Sequence, residues 1–455
     1  MTLHIVILAA GKGQRMHSTL PKVLHKLAGK PLLAHVLDTA QKLQPTRIHV
    51  VYGEGGFAIP NQFAQYDVEW VNQPEQRGTA DAVRQALPSL PDDAKVLVLY
   101  GDVPLISVTT LEELVDACDE GLCLLMAEID DPTGLGRILR DHQGEVIGIV
   151  EEKDATLEQR DIHEINSGIL AVTAKHLKNW LPKIDSNNRQ NEFYLTDIVG
   201  LAVKANLPIL DFCPHYEWEI MGINNRAELA VAERIVQVTQ AEALMKQGVT
   251  LLDPERFDLR GELTVGQDVT IDVNVIVEGN VTIGNHCTIE AGCIIRNSVI
   301  GDHVHIKAFS HLDEVNIAAD CQVGPFARLR PGTVLENGAR IGNFVEVKNT
   351  TLGAHSKANH LTYLGDATVG ERVNIGAGTI TCNYDGINKH ATVIGDHAFI
   401  GSNTALVAPV TVGAYATIGA GSTITKDAPA QQLTLTRGPQ KSVEDWKRPE
   451  KLPQE

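Results

Sequence analysis

The chain has 455 residues and a formal net charge of -18, with 43% apolar and 21% charged residues. That length calls for more than one domain, and the acidic balance excludes the basic surface that a nucleic-acid or anionic-membrane binder needs. Seven cysteines without a C-x-x-C pair indicate neither a zinc site nor a disulfide framework. No run approaches the roughly 20 apolar residues of a membrane span. The apolar run Ile5–Ala10 is too short for a signal segment and leads straight into a glycine loop. These features predict a cytoplasmic enzyme with reduced thiols.

The runs His4–Ala10, Arg47–Tyr52, Lys95–Tyr100 and Leu122–Glu128 read as strands, with Pro31–Lys42 and Thr79–Leu87 as intervening helices. That alternation predicts a mostly parallel sheet covered by helices, with ligands beyond the carboxyl ends of the strands. The first such end is "LAAGKGQRM", residues 8–16. Gly11 and Gly13 let backbone N–H groups approach phosphate closely, Arg15 offers a guanidinium fork, and Lys22 adds a second cation. Neither the Walker A spacing nor the dinucleotide fingerprint is present. A glycine turn alone also suits a plain strand–helix connection; two cations gathered in an acidic chain favour phosphate. A later strand ends in Tyr100-Gly101-Asp102. There Asp102 is placed to bind Mg²⁺ bridging phosphates, although a lone turn aspartate equally caps helices.

Residues 225–246 contain no Gly or Pro and predict one long helix, capped by Asn224 or Asn225 and ended by Gly248. After Thr264 the period changes to six. Val265, Ile271, Val277, Ile283, Ile289 and Ile295 lie six apart, and with small phase slips the series passes through Ile306, Ile317, Leu329 and Ile341. It returns as Ile394, Ile400, Leu406, Val412, Ile418 and Ile424. A hexapeptide array predicts a parallel β-helix whose coils share one core. Cys287, Cys293 and Cys321 fall at small-residue positions of the hexads and are expected to fill the core. The pattern breaks between Ala358 and His390, and breaks in a solenoid carry loops or function. His360 lies there as a candidate general base, though by itself it is one of 17 histidines.

The segments "LAAGKGQRM", "LPKVLHKLAGKPL", "YGDVPLI", "DDPTGLGRI", "IVEEKDA", "EINSGI" and "YLTDI" resemble the sugar-phosphate nucleotidyltransferases. Together with "GPFARLRPG", "GNFVEVK", "NHLTYLGD", "NIGAGTITCNYDG" and "RGPQ", they resemble a family of bifunctional enzymes. Its members join N-acetylglucosamine-1-phosphate uridylyltransferase to glucosamine-1-phosphate acetyltransferase. The likeness covers nearly the whole chain. It implies an α/β fold with a Rossmann-like uridylyltransferase domain (residues 1–225), a linker helix (226–248) and a left-handed β-helix acetyltransferase domain with its tail (249–455).

For the first site the resemblance implies that Leu8, Ala9, Ala10 and Gly11 cradle UTP, with Arg15 and Lys22 on its phosphates. Gln73, Gly78 and Thr79 would read uracil, and Tyr100, Gly101 and Asp102 would line the site. Asp102 and Asn224 would ligate Mg²⁺, while Gly136, Glu151 and Asn166 would hold N-acetylglucosamine-1-phosphate; Gly136 and Asn166 by themselves also suit turn and loop roles. For the second site it implies His360 as base and Arg330, Lys348, Tyr363 and Asn374 on glucosamine-1-phosphate. Ala377, Asn383, Tyr384, Ser402, Ala420 and Arg437 would contact acetyl-CoA. A homotrimer is implied too, with small molecules rather than nucleic acid or membrane as partners. Gln14 stands where the family usually has threonine, and Asp81 where it usually has histidine. An acid there is expected to weaken nucleotide binding modestly if it begins the next helix and turns from phosphate. The polar tail has Trp446 as its one anchor candidate.

Overall fold

A computed structural model of the protein describes residues 1–53, 58–119 and 121–449. The chain divides into two compact units, Met1–Val236 and Gln237–Glu455. The division falls inside the helix Arg226–Lys246, which the sequence places between two domains.

The first unit is built on a nine-stranded sheet. Its strands are β1 (Leu3–Leu8), β2 (Arg47–Tyr52), β3 (Glu69–Asn72), β4 (Lys95–Tyr100), β5 (Leu122–Glu128), β6 (Gly136–Arg140), β7 (Val146–Val150), β8 (Glu164–Thr173) and β9 (Ile209–Phe212). The order is β9-β5-β8-β4-β1-β2-β3, with β6 pairing β8 and β7 pairing β6. Strands β1, β2, β3 and β4 are mutually parallel where they pair, and β8 runs antiparallel between β4 and β5. Ile5 and Ile7 pack with Leu97 and Leu99 on one face, while Val6 and Leu8 pack with Val96 and Val98 on the other. Both faces are covered, so these strands read as continuous apolar runs without alternation.

The long helix shows which asparagine caps it. Asn225 Oδ1 accepts from the N–H groups of Ala227 and Glu228, each at 2.9 Å, satisfying two donors of the first turn. Asn224 is thereby left free for other work. At the other end Gly248 takes a left-handed φ of 100°, a conformation that suits glycine after a helix. Ala232 packs with Leu27, Leu32 and Ile223 in the first unit, and Ala241 and Leu244 join the core of the second.

The second unit is a parallel β-helix. An 11-stranded and a 17-stranded sheet are formed by short strands that stack coil upon coil, with equivalent residues mostly 17 or 18 apart. The predicted hexad residues line one continuous core, where Ile271, Ile289, Ile306, Leu329, Ile341 and Ile400 are buried; Val265 is only partly so. Cys287, Cys293 and Cys321 are buried in that core, and burial pushes the Cys293 and Cys321 thiols up to about 11, which suits inert fillers. The expected break from Ala358 to His390 needs correction. Strands continue through Lys357–His360, Tyr363–Gly365, Ala367–Val369, Asn374–Ile375 and Ile380–Cys382, and the only excursion among the described residues of this stretch is the loop after Asn383. The apolar period fades because Ala358 and Thr381 fill core positions. Thr381 is tolerated because its hydroxyl accepts from Gly365 N–H at 2.7 Å and donates to Gly365 O at 3.1 Å.

Coils meet at corners where non-glycine residues adopt positive φ, among them His303, Phe309, Asp320, Phe326, Phe344, His355 and Leu361. Trp446 does not anchor the tail: it is 68% exposed. Leu329→Ala, in a fully buried rung, is expected to cost about 2–5 kcal/mol through lost burial and the cavity left behind. A lowered urea midpoint for the β-helix transition would register that loss, whereas the exposed Val299→Ala should leave it near the wild-type value.

Candidate active sites

In the first unit, the carboxyl ends of β1 and β4 are tied together by Gly101 N–H donating to Leu8 O at 2.9 Å. Gly101 is closely packed: a Cβ there would sit 3.2–3.3 Å from Ala9, Leu33 and Val23. The loop after β1 closes on Lys22. Gly13 has a φ of 59°, and a Cβ on it would strike Lys22 Cβ at 2.7 Å. The following turn, Gln14–Met16, buries Met16 and leaves Arg15 exposed at the mouth.

Lys22 is the centre of the arrangement. Its ammonium donates to Asp102 Oδ2 in a short contact and to Asn224 Oδ1 at 3.0 Å. Both Lys22 and Asp102 are largely shielded from solvent, at 13% and 17% side-chain exposure. Ile223 N–H donates to Asp102 O at 2.9 Å, which fixes Asn224 beside Asp102. Asp102 Oδ2 and Asn224 Oδ1 therefore converge on the Lys22 ammonium; a carboxylate and an amide oxygen side by side are also a donor pair that suits a hard divalent ion.

Leu8, Ala9, Ala10, Gly11, Arg15, Lys22, Gln73, Gly78, Thr79, Tyr100, Asp102 and Asn224 line a cavity of about 730 Å³. Gly101, between the lining residues Tyr100 and Asp102, is not itself part of the lining. Gly78 has a φ of 115°, and a Cβ on it would collide with the Phe193 backbone at 2.5 Å, so only glycine lets the Gln73–Thr79 loop dock there. Thr79 Oγ1 accepts from Leu195 N–H at 3.0 Å. Gln73 is 4% exposed, and its Nε2 donates to Asp81 Oδ2 at 2.9 Å. Asp81 does stand in the first turn of the helix Thr79–Ala86, and its carboxylate is engaged by Gln73.

Gly136, Glu151 and Asn166 form a second group beside Tyr100. Asn166 pairs with Gly136 across β8 and β6, and a Cβ on Gly136 would lie 3.4 Å from Glu151 Oε2. Burial pushes the Glu151 carboxyl up, opposed by a 3.0 Å hydrogen bond from Thr196 Oγ1. Burial likewise raises the Tyr100 phenol, with the charges of Glu151 and Asp102 adding to it. Gly168, at a φ of 84°, makes room for the Tyr100 ring. Lys12, Gln76 and Glu192 also line the cavity, though none was assigned a role from the sequence. Lys12 and Gln76 were readable as a third cation in the glycine loop and a second amide after Gln73. Glu192 carries no local signal.

In the second unit the strand register builds a column. Asn343 pairs with His360, and Ala358 with Ile375, which brings His360 level with Ala377. Ile375, Ile400 and Ile418 are in register, so Ala377, Ser402 and Ala420, each two residues on, stack in successive coils. Asn403 N–H donates to Ala377 O at 2.7 Å and Gly421 N–H to Ser402 O at 2.8 Å. The Arg437 stem flanks Gly421 at the end of the column. His360 is exposed and its Nδ1 meets Asn343 Oδ1 at 3.0 Å. An amide oxygen there takes an Nδ1–H and leaves Nε2 with a free lone pair.

Across the corner Leu361–Thr362 lies a polar cluster on the other sheet. Arg330 donates to Glu346 at 2.8 Å. Lys348 sits beside Lys389, which pulls its ammonium below the ordinary range. Asn349 and Asn383 both donate to Asp366, at 2.7 and 2.5 Å. Burial raises the Asp366 carboxyl, but these hydrogen bonds and the two lysines outweigh it and hold it low. A Cβ on Gly365 would strike the Tyr363 hydroxyl and Asn383, so Gly365 packs these two side chains together. Asn374 stands on the His360 sheet, three residues before Ala377, and Tyr384 is 61% exposed.

A nucleotide-sized cavity at the strand ends of an α/β sheet, followed by a hexapeptide β-helix with an exposed histidine, defines a nucleotidyltransferase fused to an acyltransferase. Residues 5–141 match the MobA-like NTP transferase domain, 259–359 the GMPPB C-terminal domain, and 391–426 the bacterial transferase hexapeptide of six repeats. The chain is 52% identical over 451 residues to the bifunctional protein GlmU of Janthinobacterium sp. (strain Marseille), covering 99% of this chain and 100% of that one. It is 54% identical to the GlmU of Marinobacter nauticus (99% of each chain) and 55% to that of Cellvibrio japonicus (98% and 99%). The chain belongs to the bifunctional GlmU family. It is accordingly a two-activity enzyme of UDP-N-acetylglucosamine synthesis: acetyl transfer from acetyl-CoA to glucosamine-1-phosphate, then uridylyl transfer from UTP to the N-acetylated product, releasing pyrophosphate. None of its described helices is long and apolar enough to cross a membrane.

Proposed function

We propose that the uridylyl step is run by the cavity around Lys22 and the acetyl step by the column that begins at His360. The observation that carries the first assignment is the convergence of Asp102 and Asn224 on the Lys22 ammonium at the edge of the cavity. Those two oxygens fit Mg²⁺, which when bound neutralises phosphate charge. Leu8 to Gly11 cradle the triphosphate, Arg15 and Lys22 hold its oxygens, and Gln73, Gly78 and Thr79 face the base. Gly136, Glu151 and Asn166 hold the acetylated sugar beside Tyr100. The sugar phosphate oxygen attacks the α-phosphorus of UTP in line, and pyrophosphate departs. The protein supplies position and charge, with no covalent intermediate.

In the acetyl step, His360 Nε2 takes a proton from the sugar amine as that amine attacks the thioester of acetyl-CoA. Arg330, Lys348, Tyr363 and Asn374 hold the sugar phosphate; the crowding of Lys348 against Lys389 is relieved when an anion arrives. Acetyl-CoA lies along Ala377, Ser402 and Ala420, with Asn383 and Tyr384 beside the thioester and Arg437 on phosphate. The active form is a homotrimer in the cytoplasm. Phe309, Phe326 and Phe344 support the self-association: they stack at 5.2 and 5.5 Å on one corner and remain 59%, 49% and 56% exposed. Phe344 directly follows Asn343 in the His360 column, so a neighbouring subunit that covers the stripe also walls the site.

Metal removal tests the division of labour. Chelation by EDTA is expected to stop pyrophosphate release and leave CoA release intact, with Mg²⁺ restoring the former. Loss of both activities, or of neither, contradicts the assignment.

A further inference from the structure

Gln73 is a buried amide whose two ends differ in chemistry but not in shape. Its Nε2 donates to Asp81 Oδ2 at 2.9 Å and to Gly78 O at 3.3 Å. A carboxylate and a carbonyl can only accept, so the NH₂ end is compelled to face them. The amide cannot turn over without setting oxygen against oxygen at both contacts. Gln73 Oε1 makes no hydrogen bond among the described residues, is not sealed from solvent, and belongs to a residue lining the cavity. The cavity is therefore offered an acceptor with no donor beside it on this side chain. Asp81 is itself held in place, since it lies in the first turn of the helix Thr79–Ala86, where the helix dipole favours a carboxylate.

We propose that Asp81 is a positioning residue for nucleobase choice: by pinning the Gln73 amide it selects a pyrimidine carrying a ring N–H over one carrying a ring lone pair. This rests on the reading that Gln73 faces the base. Uracil presents N3–H, which Gln73 Oε1 accepts. Cytosine presents an N3 lone pair, which the same oxygen repels, and the pinned amide cannot turn its NH₂ to meet it. Discrimination comes from a repulsive contact that the wrong base cannot relieve. The acid expected to be a mild liability in a nucleotide pocket is thus a specificity device, because its charge is spent on Gln73 rather than turned toward phosphate.

The test compares kcat/KM for pyrophosphate release with UTP and with CTP, in the presence of N-acetylglucosamine-1-phosphate and Mg²⁺. The wild type is expected to prefer UTP. Asp81→Ala removes the shorter of the two contacts and leaves the amide held by Gly78 O alone, at 3.3 Å; it is expected to lower the UTP/CTP ratio by up to about tenfold, the scale of one hydrogen bond. The volume-matched Asp81→Asn can turn either edge to Gln73 and is expected to lower the ratio by a smaller factor. A merely structural role would reduce both nucleotides equally and leave the ratio unmoved in both variants; that result, or a wild type indifferent to the base, overturns the proposal. A wild type that uses neither nucleotide sinks the uridylyltransferase assignment itself and the proposal with it.

Discussion

His360→Ala is expected to cut CoA release from acetyl-CoA and glucosamine-1-phosphate by about 10²–10⁴-fold, the usual worth of a positioned general base. Pyrophosphate release from UTP and N-acetylglucosamine-1-phosphate should stay near the wild-type rate. The size of the effect follows from the environment of the ring. Its Nδ1 is engaged by Asn343 at 3.0 Å and the strand that carries it is pinned by Thr362 Oγ1 donating to His360 O at 2.7 Å. The imidazole is exposed, so alanine leaves no core cavity and folding should be unaffected. An unchanged CoA rate would remove His360 from the chemistry. A parallel fall in both activities of a folded variant would contradict separate sites.

Asp102→Ala should give the mirror image. It removes the single carboxylate of the proposed metal position and the partner of the Lys22 ammonium. Loss of one charge-stabilising group at a reacting phosphate is expected to lower pyrophosphate release by about 10²–10³-fold, with CoA release preserved. Lys22 and Asp102 are both shielded, so alanine also leaves a cation without its counter-charge and some loss of stability in the first unit is expected. Asp102→Asn separates the two effects. It keeps the shape and a hydrogen-bonding oxygen, so an Asn variant that is stable yet equally inactive points to the missing charge. Retained uridylyl transfer in either variant would contradict the role given to Asp102.

How far the sequence reaches depends on whether a residue's role is local. The hexads were legible because each rung of the β-helix demands one apolar side chain at a fixed spacing. They faded at Ala358 and Thr381, where a small residue and a hydroxyl bonded to Gly365 take the same rung. The coil continues there because the stacked backbone, rather than the side chain, carries its register. The cations Arg15 and Lys22 stood out against an acidic composition, and the cavity gathers both. Which of Asn224 and Asn225 capped the long helix could not be read, since either type caps equally well. Only the fold shows that Asn225 satisfies the first turn and Asn224 turns to Lys22. Glu192 and the pairing of Gln73 with Asp81 lay beyond reach for another reason. One comes from a distant segment, and the other depends on a helix turn bringing two side chains together.

The most direct test is one reaction holding glucosamine-1-phosphate, acetyl-CoA, UTP and Mg²⁺, in which free CoA, pyrophosphate and sugar nucleotide are followed together. Two working sites on one chain predict that all three appear, with CoA rising before pyrophosphate and UDP-N-acetylglucosamine as the end product. Pyrophosphate that forms only when N-acetylglucosamine-1-phosphate is supplied ready-made, with no CoA released, would contradict the acetyl-transfer half of the account.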